Sequence, residues 1–299
     1  MDYCNRVDIA EYMFNQDICY IEKHFNAEDA NSKRKMLLES YLTFSCRNDL
    51  LDLARFLFQE VENRQELFQH LTFNGRFLKT ACKNKNFDFF KYLLEDDKAK
   101  DEAAEFLNDF PLHYACKRGS LEMVQYLTET KKMDIKVKDE IGRTPLNSAC
   151  MSGSIEIAQY LIEKQKANIN TFSNIGGSVW HFACISGCLE LVKYISKRTK
   201  VDVNAQDGDG STALHLACKQ DWPNFKVVKF LINDMKANLH LVDKEGRTPL
   251  HVACQLDFPK VSVPKFLVNQ GASVLAKDKG GKSPLQIASA DEKELIAFL

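Results

Sequence analysis

Apolar residues recur at spacings of three and four along most of the chain, in short paired bursts. Leu121, Val124 and Leu127 form one burst, and Ile155, Ala158 and Leu161 another. Each predicts a helix with one inward stripe. Each follows a compact segment, FPLHYAC or TPLNSAC, and a turn that often holds glycine (Gly119, Gly153, Gly187). The compact segment predicts a shorter helix carrying Leu, Ala and Cys inward. Thr144, Thr212 and Thr248 stand where such helices need an N-cap, and the proline after Thr144 and Thr248 suits the first helical position. After the second helix comes an extended stretch such as ANLHLVDKEGR, whose D-x-x-G predicts a tight turn.

The paired helices are periodic. Cys82, Cys116, Cys150, Cys184, Cys218 and Cys254 follow one another at intervals of 34, 34, 34, 34 and 36 residues. The windows that end on them read RFLKTAC, FPLHYAC, TPLNSAC, VWHFAC, TALHLAC and TPLHVAC, and a further window, SPLQIAS, ends at Ser289. Another window, YLTFSC, ends at Cys46, 36 residues before Cys82. Self-similarity at this period predicts stacked repeats, each burying its apolar face on its neighbours.

Helix–turn–helix with a projecting turn, at a period near 33, resembles the ankyrin repeat, and TPLHVAC, TALHLAC and FPLHYACKRGSLEMVQYL resemble its signature closely. The resemblance covers residues 67–299 and implies about seven repeats, the last a C-terminal cap. The fold class it implies is an all-α-dominated repeat solenoid with projecting β-turns and a helical N-terminal cap. Residues 1–66 read as that cap, built of atypical helix pairs. Within it, 41–58 keeps the two-helix pattern, and 8–25 reads as a further pair with Ile18, Ile21 and Phe25 inward. The connections at 59–75 and 94–110 read as helix rather than hairpin. Projecting turns are expected from Asp139 onward, at 174, 207, 243 and 278. ADEKELIAFL supplies the polar outer face of a terminal repeat, so the chain reads as a complete small protein.

Composition adds exclusions. With 45% hydrophobic and 27% charged residues, the 299-residue chain has the make-up of a folded protein. A net charge of −1 offers no field to draw in nucleic acid. No apolar run reaches the length of a membrane span, and the acids in MDYCNRVDIAEYMFNQD interrupt any signal sequence. Ten cysteines at repeat spacing read as buried, reduced residues of a cytoplasmic or nuclear protein.

Several motifs invite chemistry and do not carry it. His113–Cys116, His181–Cys184, His215–Cys218 and His251–Cys254 each form H-x-x-C. Stacked helices stand about 8–10 Å apart. That spacing is too wide for neighbouring pairs to share a zinc ion at about 2.0–2.3 Å or to form a disulfide. The expected role of the histidines is to tie neighbouring turns together by hydrogen bonds. Asp207-Gly-Asp209-Gly-Ser211 lacks the third acid and the bidentate Glu of a calcium loop, and it coincides with a repeat turn. Trp180 reads as core, its indole N–H needing a partner. Lys131, Lys132, Lys164, Lys166, Lys197, Arg198, Lys200 and Lys236 gather at second-helix ends, where cations complement the helix dipole. No catalytic site, metal site or cofactor motif is legible.

The resemblance implies a non-enzymatic scaffold or adaptor, monomeric on its own, that binds another protein on a concave surface of turns and first helices. The variable positions there are Glu140, Ile141, Arg143 and Met151; Asn174, Ile175 and Ile185; Asp209, Lys219 and Gln220; and Lys244, Glu245, Arg247, Gln255 and Leu256. Ile141, Met151, Ile175 and Ile185 are apolar where polar residues suit a free surface, so they are expected either to meet a partner or to pack against neighbouring turns. Two rival functions are a module of a larger channel or receptor assembly, and an enzyme with a site hidden in 1–66. Finally, two neighbouring repeats share an insert between their helices, Asp221-Trp222-Pro223 and Asp257-Phe258-Pro259. Trp222 and Phe258 are expected as neighbours, either extending the core or forming a second contact edge.

Overall fold

The computed structural model describes residues 3–24, 27–48, 50–63, 76–95, 110–118, 120–219, 225–255 and 262–288. They form two compact units, 1–133 and 134–299. Among the described residues there is no extended strand. Only isolated antiparallel bridges occur, Phe172–Ser178 and Gln206–Thr212, at the bases of two turns.

The first unit opens with three long helices. These are α1 (Tyr3–His24), α2 (Ala27–Asn48) and α3 (Leu51–Asn63). The first corrects an expectation: 8–24 is one continuous helix, not a pair. The physical reason lies in the sequence. No Gly or Pro interrupts it, and Val7, Ala10, Phe14, Ile18 and Ile21 keep one buried stripe throughout. Phe14 meets Tyr41 of α2 and Phe56 of α3 edge-on, at 5.4 and 6.1 Å between ring centres. The Tyr41 hydroxyl donates to Asp17. Next come α4 (Arg76–Asn84) and α5 (Phe87–Glu95), joined through Lys85 at φ 58° with Asn86 capping α5. Then α6 (Pro111–Arg118) precedes α7 (Leu121–Gln125), which Ser120 caps and which widens into a π-turn over Tyr126–Thr130. The stretches 64–75 and 96–109, expected as helix, lie outside the described residues.

The second unit repeats one pattern. First helices α8 (Pro145–Met151), α10 (Val179–Ser186), α12 (Ala213–Cys218), α14 (Pro249–Cys254) and α16 (Pro284–Ile287) stack in order. Behind them lie α9 (Ile155–Gln159, continuing as a π-turn to Lys164), α11 (Leu189–Ser196), α13 (Phe225–Asn233) and α15 (Ser262–Asn269). Thr144, Ser178, Thr212, Thr248 and Ser283 all cap first helices with reciprocal capping boxes. Cys150, Cys184, Cys218 and Cys254 are buried and outside any disulfide, as are Cys46, Cys82 and Cys116 in the first unit. Burial pushes the Cys150 thiol up to about 12.

The expected histidine ties are present at His181, His215 and His251 and can be assigned a tautomer. A backbone N–H is an obligate donor, so Nδ1 of His215 accepts from Thr212 N at 3.1 Å. The proton therefore sits on Nε2, which donates to the Arg247 carbonyl of the next turn at 2.9 Å. His251 does the same between Thr248 N and Lys282 O, and His181 between Ser178 N and Ala205 O. At 144–147 the histidine is replaced by Asn147, whose Oδ1 takes over the cap at 2.8 Å. Its buried Nδ2 has no partner among the described residues. Trp180 is buried as expected, but its indole N–H likewise has no partner among them.

The turns form a second set of ties. They occupy 139–143, 173–177, 207–211, 243–247 and 278–282, close to the expected positions. In each, the first side chain accepts from the backbone N–H at the fifth position: Asp139 from Arg143, Ser173 from Gly177, Asp207 from Ser211, Asp243 from Arg247, and Asp278 from Lys282. The Asp207 carboxylate of the calcium-like stretch is thereby used within the turn, accepting from the Asp209 and Ser211 N–H groups. Each turn then bonds to the one before it: Asn174 N to Ile141 O, Gly208 N to Ile175 O, Lys244 N to Asp209 O, and Lys279 N to Glu245 O, at 2.7–2.9 Å. In the first four turns this approach leaves no room for a Cβ at the fourth position, which in all five is glycine with φ between 72° and 76°. A Cβ on Gly176 would lie 2.6 Å from the Gly208 nitrogen.

Two predictions follow from these ties. Gly176→Ala should destabilise the protein by about 2–4 kcal/mol in urea unfolding, because it meets both the φ penalty and a backbone clash. Gly281→Ala should cost only about 1–2 kcal/mol, since φ there is 74° but no described atom lies within 4 Å. Equal losses would contradict the turn-to-turn contact. The histidines predict a pH dependence. Burial lowers the pKa of His181 and His215, partly offset by their bonds to the next turn. The unfolded chain then binds protons that the folded one refuses, so stability is full above about pH 6.5 and falls as pH drops through the folded values. Replacing both with Asn, as nature does at 147, should flatten that slope between about pH 7 and 5, where carboxylates remain ionised.

Candidate protein-binding surface

The turn tips and the C-terminal ends of the first helices present the variable residues. Glu140, Asn174, Asp209, Lys219, Lys244, Glu245 and Gln255 are exposed, and Arg143, Met151, Ile185 and Arg247 are half-buried. Gln220 and Leu256 lie outside the described residues, as do Trp222 and Phe258 of the inserts. Ile141 and Ile175 occupy the third position of adjacent turns and remain 39% and 48% exposed. Their backbones are fixed by the turn-to-turn bonds, so both apolar side chains are held outward on rigid supports. Phe172, on the arm leading into the second turn, is 58% exposed.

The arginines act as struts. Arg143 binds the Asp139 carboxylate through Nε and Nη2 at 2.8 Å, and its Nη1 reaches the Met151 sulfur at 3.6 Å. Arg247 repeats this with Asp243 and the Gln255 side-chain oxygen, at 2.8 and 3.1 Å. Each guanidinium links a turn to the end of the following helix. Burial opposes the charge on Asp243. Hydrogen bonds from Arg247 and from the Glu245 N–H outweigh it and hold the carboxyl below its usual value.

Beside the Arg247 strut lies a groove of about 380 Å³, lined by Ser211, His215, Lys219, Asp243, Arg247, Val252 and Gln255. It is polar, but its imidazole is not available for catalysis. Both ring nitrogens of His215 are committed to the cap and to the next turn. Among the described residues no group of His, Cys, Asp and Glu is arranged to hold a metal ion, and no helix is long and apolar enough to cross a membrane.

The basic stripe has a backbone role that the sequence did not announce. Lys132, Lys166 and Lys236 stand at φ 54°, 59° and 58°, in the left-handed conformation that ends a helix and favours glycine. Lys131 donates to the Leu94 carbonyl at 3.2 Å, and Arg198 lies 3.8 Å from the centre of the Tyr194 ring while pairing with Glu163. The tyrosine–glutamate pairs themselves, Tyr126–Glu95 and Tyr194–Glu163, were also missed. Each joins a second helix to the one before it at 2.8 Å. The signal was available: both pairs span 31 residues.

Comparison with known proteins agrees with this geometry. A family model of ankyrin repeats matches three times, over residues 78–173, 180–278 and 224–299. No curated protein matches the sequence. Among solved structures, the chain is similar to one in a complex of a predatory endopeptidase from Bdellovibrio bacteriovorus with an immunity protein. The identity is 25% and the TM-score 0.50, and the match covers 62% of this chain and 94% of that one. The repeat spacing, the capping boxes, the linked turns and the matched residues together establish that the chain belongs to the ankyrin repeat family.

Proposed function

We infer that this protein is a non-enzymatic scaffold that binds a protein partner on the turn tips and first-helix ends of the second unit. One observation carries the reading. Ile141 and Ile175 are exposed side by side on turns that the backbone cannot easily move. Apolar side chains held out on rigid supports lose little conformational entropy on binding, which favours a partner with an apolar contact of its own. Exposed polar and charged side chains at Lys219, Lys244, Glu245 and Gln255 give the surface a polar rim. The similarity to a chain from an endopeptidase–immunity protein complex supports a protein as partner. The buried cysteines, none of them in a disulfide among the described residues, support a reducing compartment, cytosol or nucleus.

The test is paired. Ile141→Asp with Ile175→Asp should reduce partner capture by at least about tenfold, measured quantitatively against the wild-type chain. The unfolding free energy should stay within about 0.5 kcal/mol, as expected for surface positions. Retained binding would overturn the reading. Loss of folding would show that the two residues serve the core instead.

A further inference from the structure

One joint between a first helix and the turn that follows it is built differently from the others. Where histidine makes the joint, Nδ1 serves the helix cap and Nε2 reaches the next turn. Nε2 of His181 stands beside two carbonyls, that of Ala205 at 3.0 Å and that of Ser211. Ala205 lies two residues before its turn, and Ser211 closes it. Between α8 and the turn 173–177 the ring is replaced by Asn147, and the corresponding carbonyls belong to Thr171 and Gly177. The Asn147 Oδ1 accepts from the Thr144 N–H at 2.8 Å. That N–H is an obligate donor, so the amide cannot be turned round. An amide is also shorter than an imidazole. Asn147 is 0% exposed, and its Nδ2 has no partner among the described residues.

The far side of the joint carries a matching irregularity. The residue two before the turn is Val137, Thr171, Ala205, Leu241 and Ala276 in the five cases. The one polar side chain among them belongs to the turn that follows Asn147. Its Oγ1 is buried and likewise has no partner among the described residues. Thr171 follows Asn147 by 24 residues, the same separation as between His181 and Ala205. Register therefore brings both orphaned atoms to one joint, beside the Thr171 and Gly177 carbonyls. Leaving either atom unpaired costs the full desolvation of that group. A small molecule that bonds to both removes both costs. The chemistry selects which molecule. The donor Nδ2 opposes a cation, and the carbonyls oppose an anion. Water gives and accepts, and a buried water is stable where it finds about three polar partners.

We propose that Asn147, Thr171 and Gly177 form a binding site for one ordered water molecule, which takes the place of the imidazole Nε2–H and completes the tie from α8 to the turn carrying Ile175. The water accepts from Asn147 Nδ2 and the Thr171 hydroxyl, and it donates to the Thr171 and Gly177 carbonyls. The site stands whether or not Ile175 meets a partner.

Urea unfolding of the full chain near pH 8, where imidazoles are neutral, tests it through Thr171→Val. Valine keeps the shape and removes the hydroxyl. With the water in place, the change should raise the unfolding equilibrium constant by about fivefold or more. Asn147→His supplies a ring that reaches the carbonyls and displaces the water. In that background Thr171→Val should change the constant by less than about twofold, or lower it, because an orphaned hydroxyl is better replaced by a methyl group. A neutral or stabilising Thr171→Val in the wild-type chain would overturn the proposal. So would an equal loss in both backgrounds, which would put the hydroxyl's partner elsewhere. A high-resolution crystal structure of the wild-type chain keeps the test decisive should Asn147→His fail to fold. It should show a water within about 3.2 Å of both Asn147 Nδ2 and Thr171 Oγ1, and a joint closed by direct protein contacts would refute the site.

Discussion

Each turn of the second unit hangs from the one before it by a single backbone hydrogen bond, and much else is arranged to permit that bond. It requires the turns to approach until no Cβ fits, hence glycine at the fourth position. It requires each turn to keep its shape, hence an Asp or Ser at the first position accepting from the fifth. The histidines add a parallel tie from helix cap to the following turn. These bonds are modest singly, at about 0.5–1.5 kcal/mol net each. Together they convert a series of loops into a rigid comb, and a rigid comb can hold isoleucines out in water.

Much of this was legible because repetition multiplies weak signals. One D-x-x-G is an ordinary turn, but four at repeat spacing, with Ser173–Gly176 in register among them, mark an edge. TPLH announced the threonine cap, and the structure completes it as a box in which His three residues on serves the cap backbone in return. The histidine's reach to the next turn was legible as a role, though not its tautomer. Asn147 breaks the pattern, and the structure shows how: its Oδ1 serves the cap while its Nδ2 has no partner among the described residues.

What the sequence hid falls into two kinds. Some features depend on where a side chain ends up after folding. The Arg143 and Arg247 struts are of this kind, as are the tyrosine–glutamate pairs, because the spacing of long side chains does not reveal which neighbour they meet. Others depend on backbone conformation. Lysines at 132, 166 and 236 suggested helix-dipole partners, yet they stand in the left-handed conformation where glycine is the usual choice. The continuous α1 belongs here too. Repeat logic encouraged a division into two short helices, whereas the unbroken apolar spacing and the lack of a breaker residue favoured one long one.

The central claim is that the projecting turns form one hydrogen-bonded structure rather than independent loops. Residue-resolved amide hydrogen exchange tests this most directly at Asn174, Gly208, Lys244 and Lys279, whose N–H groups make the turn-to-turn bonds. The account predicts protection comparable to that of the adjoining first helices, because breaking one bond requires opening the repeat. Exchange at the rate of an open loop at these four amides, with the helices still protected, would contradict it.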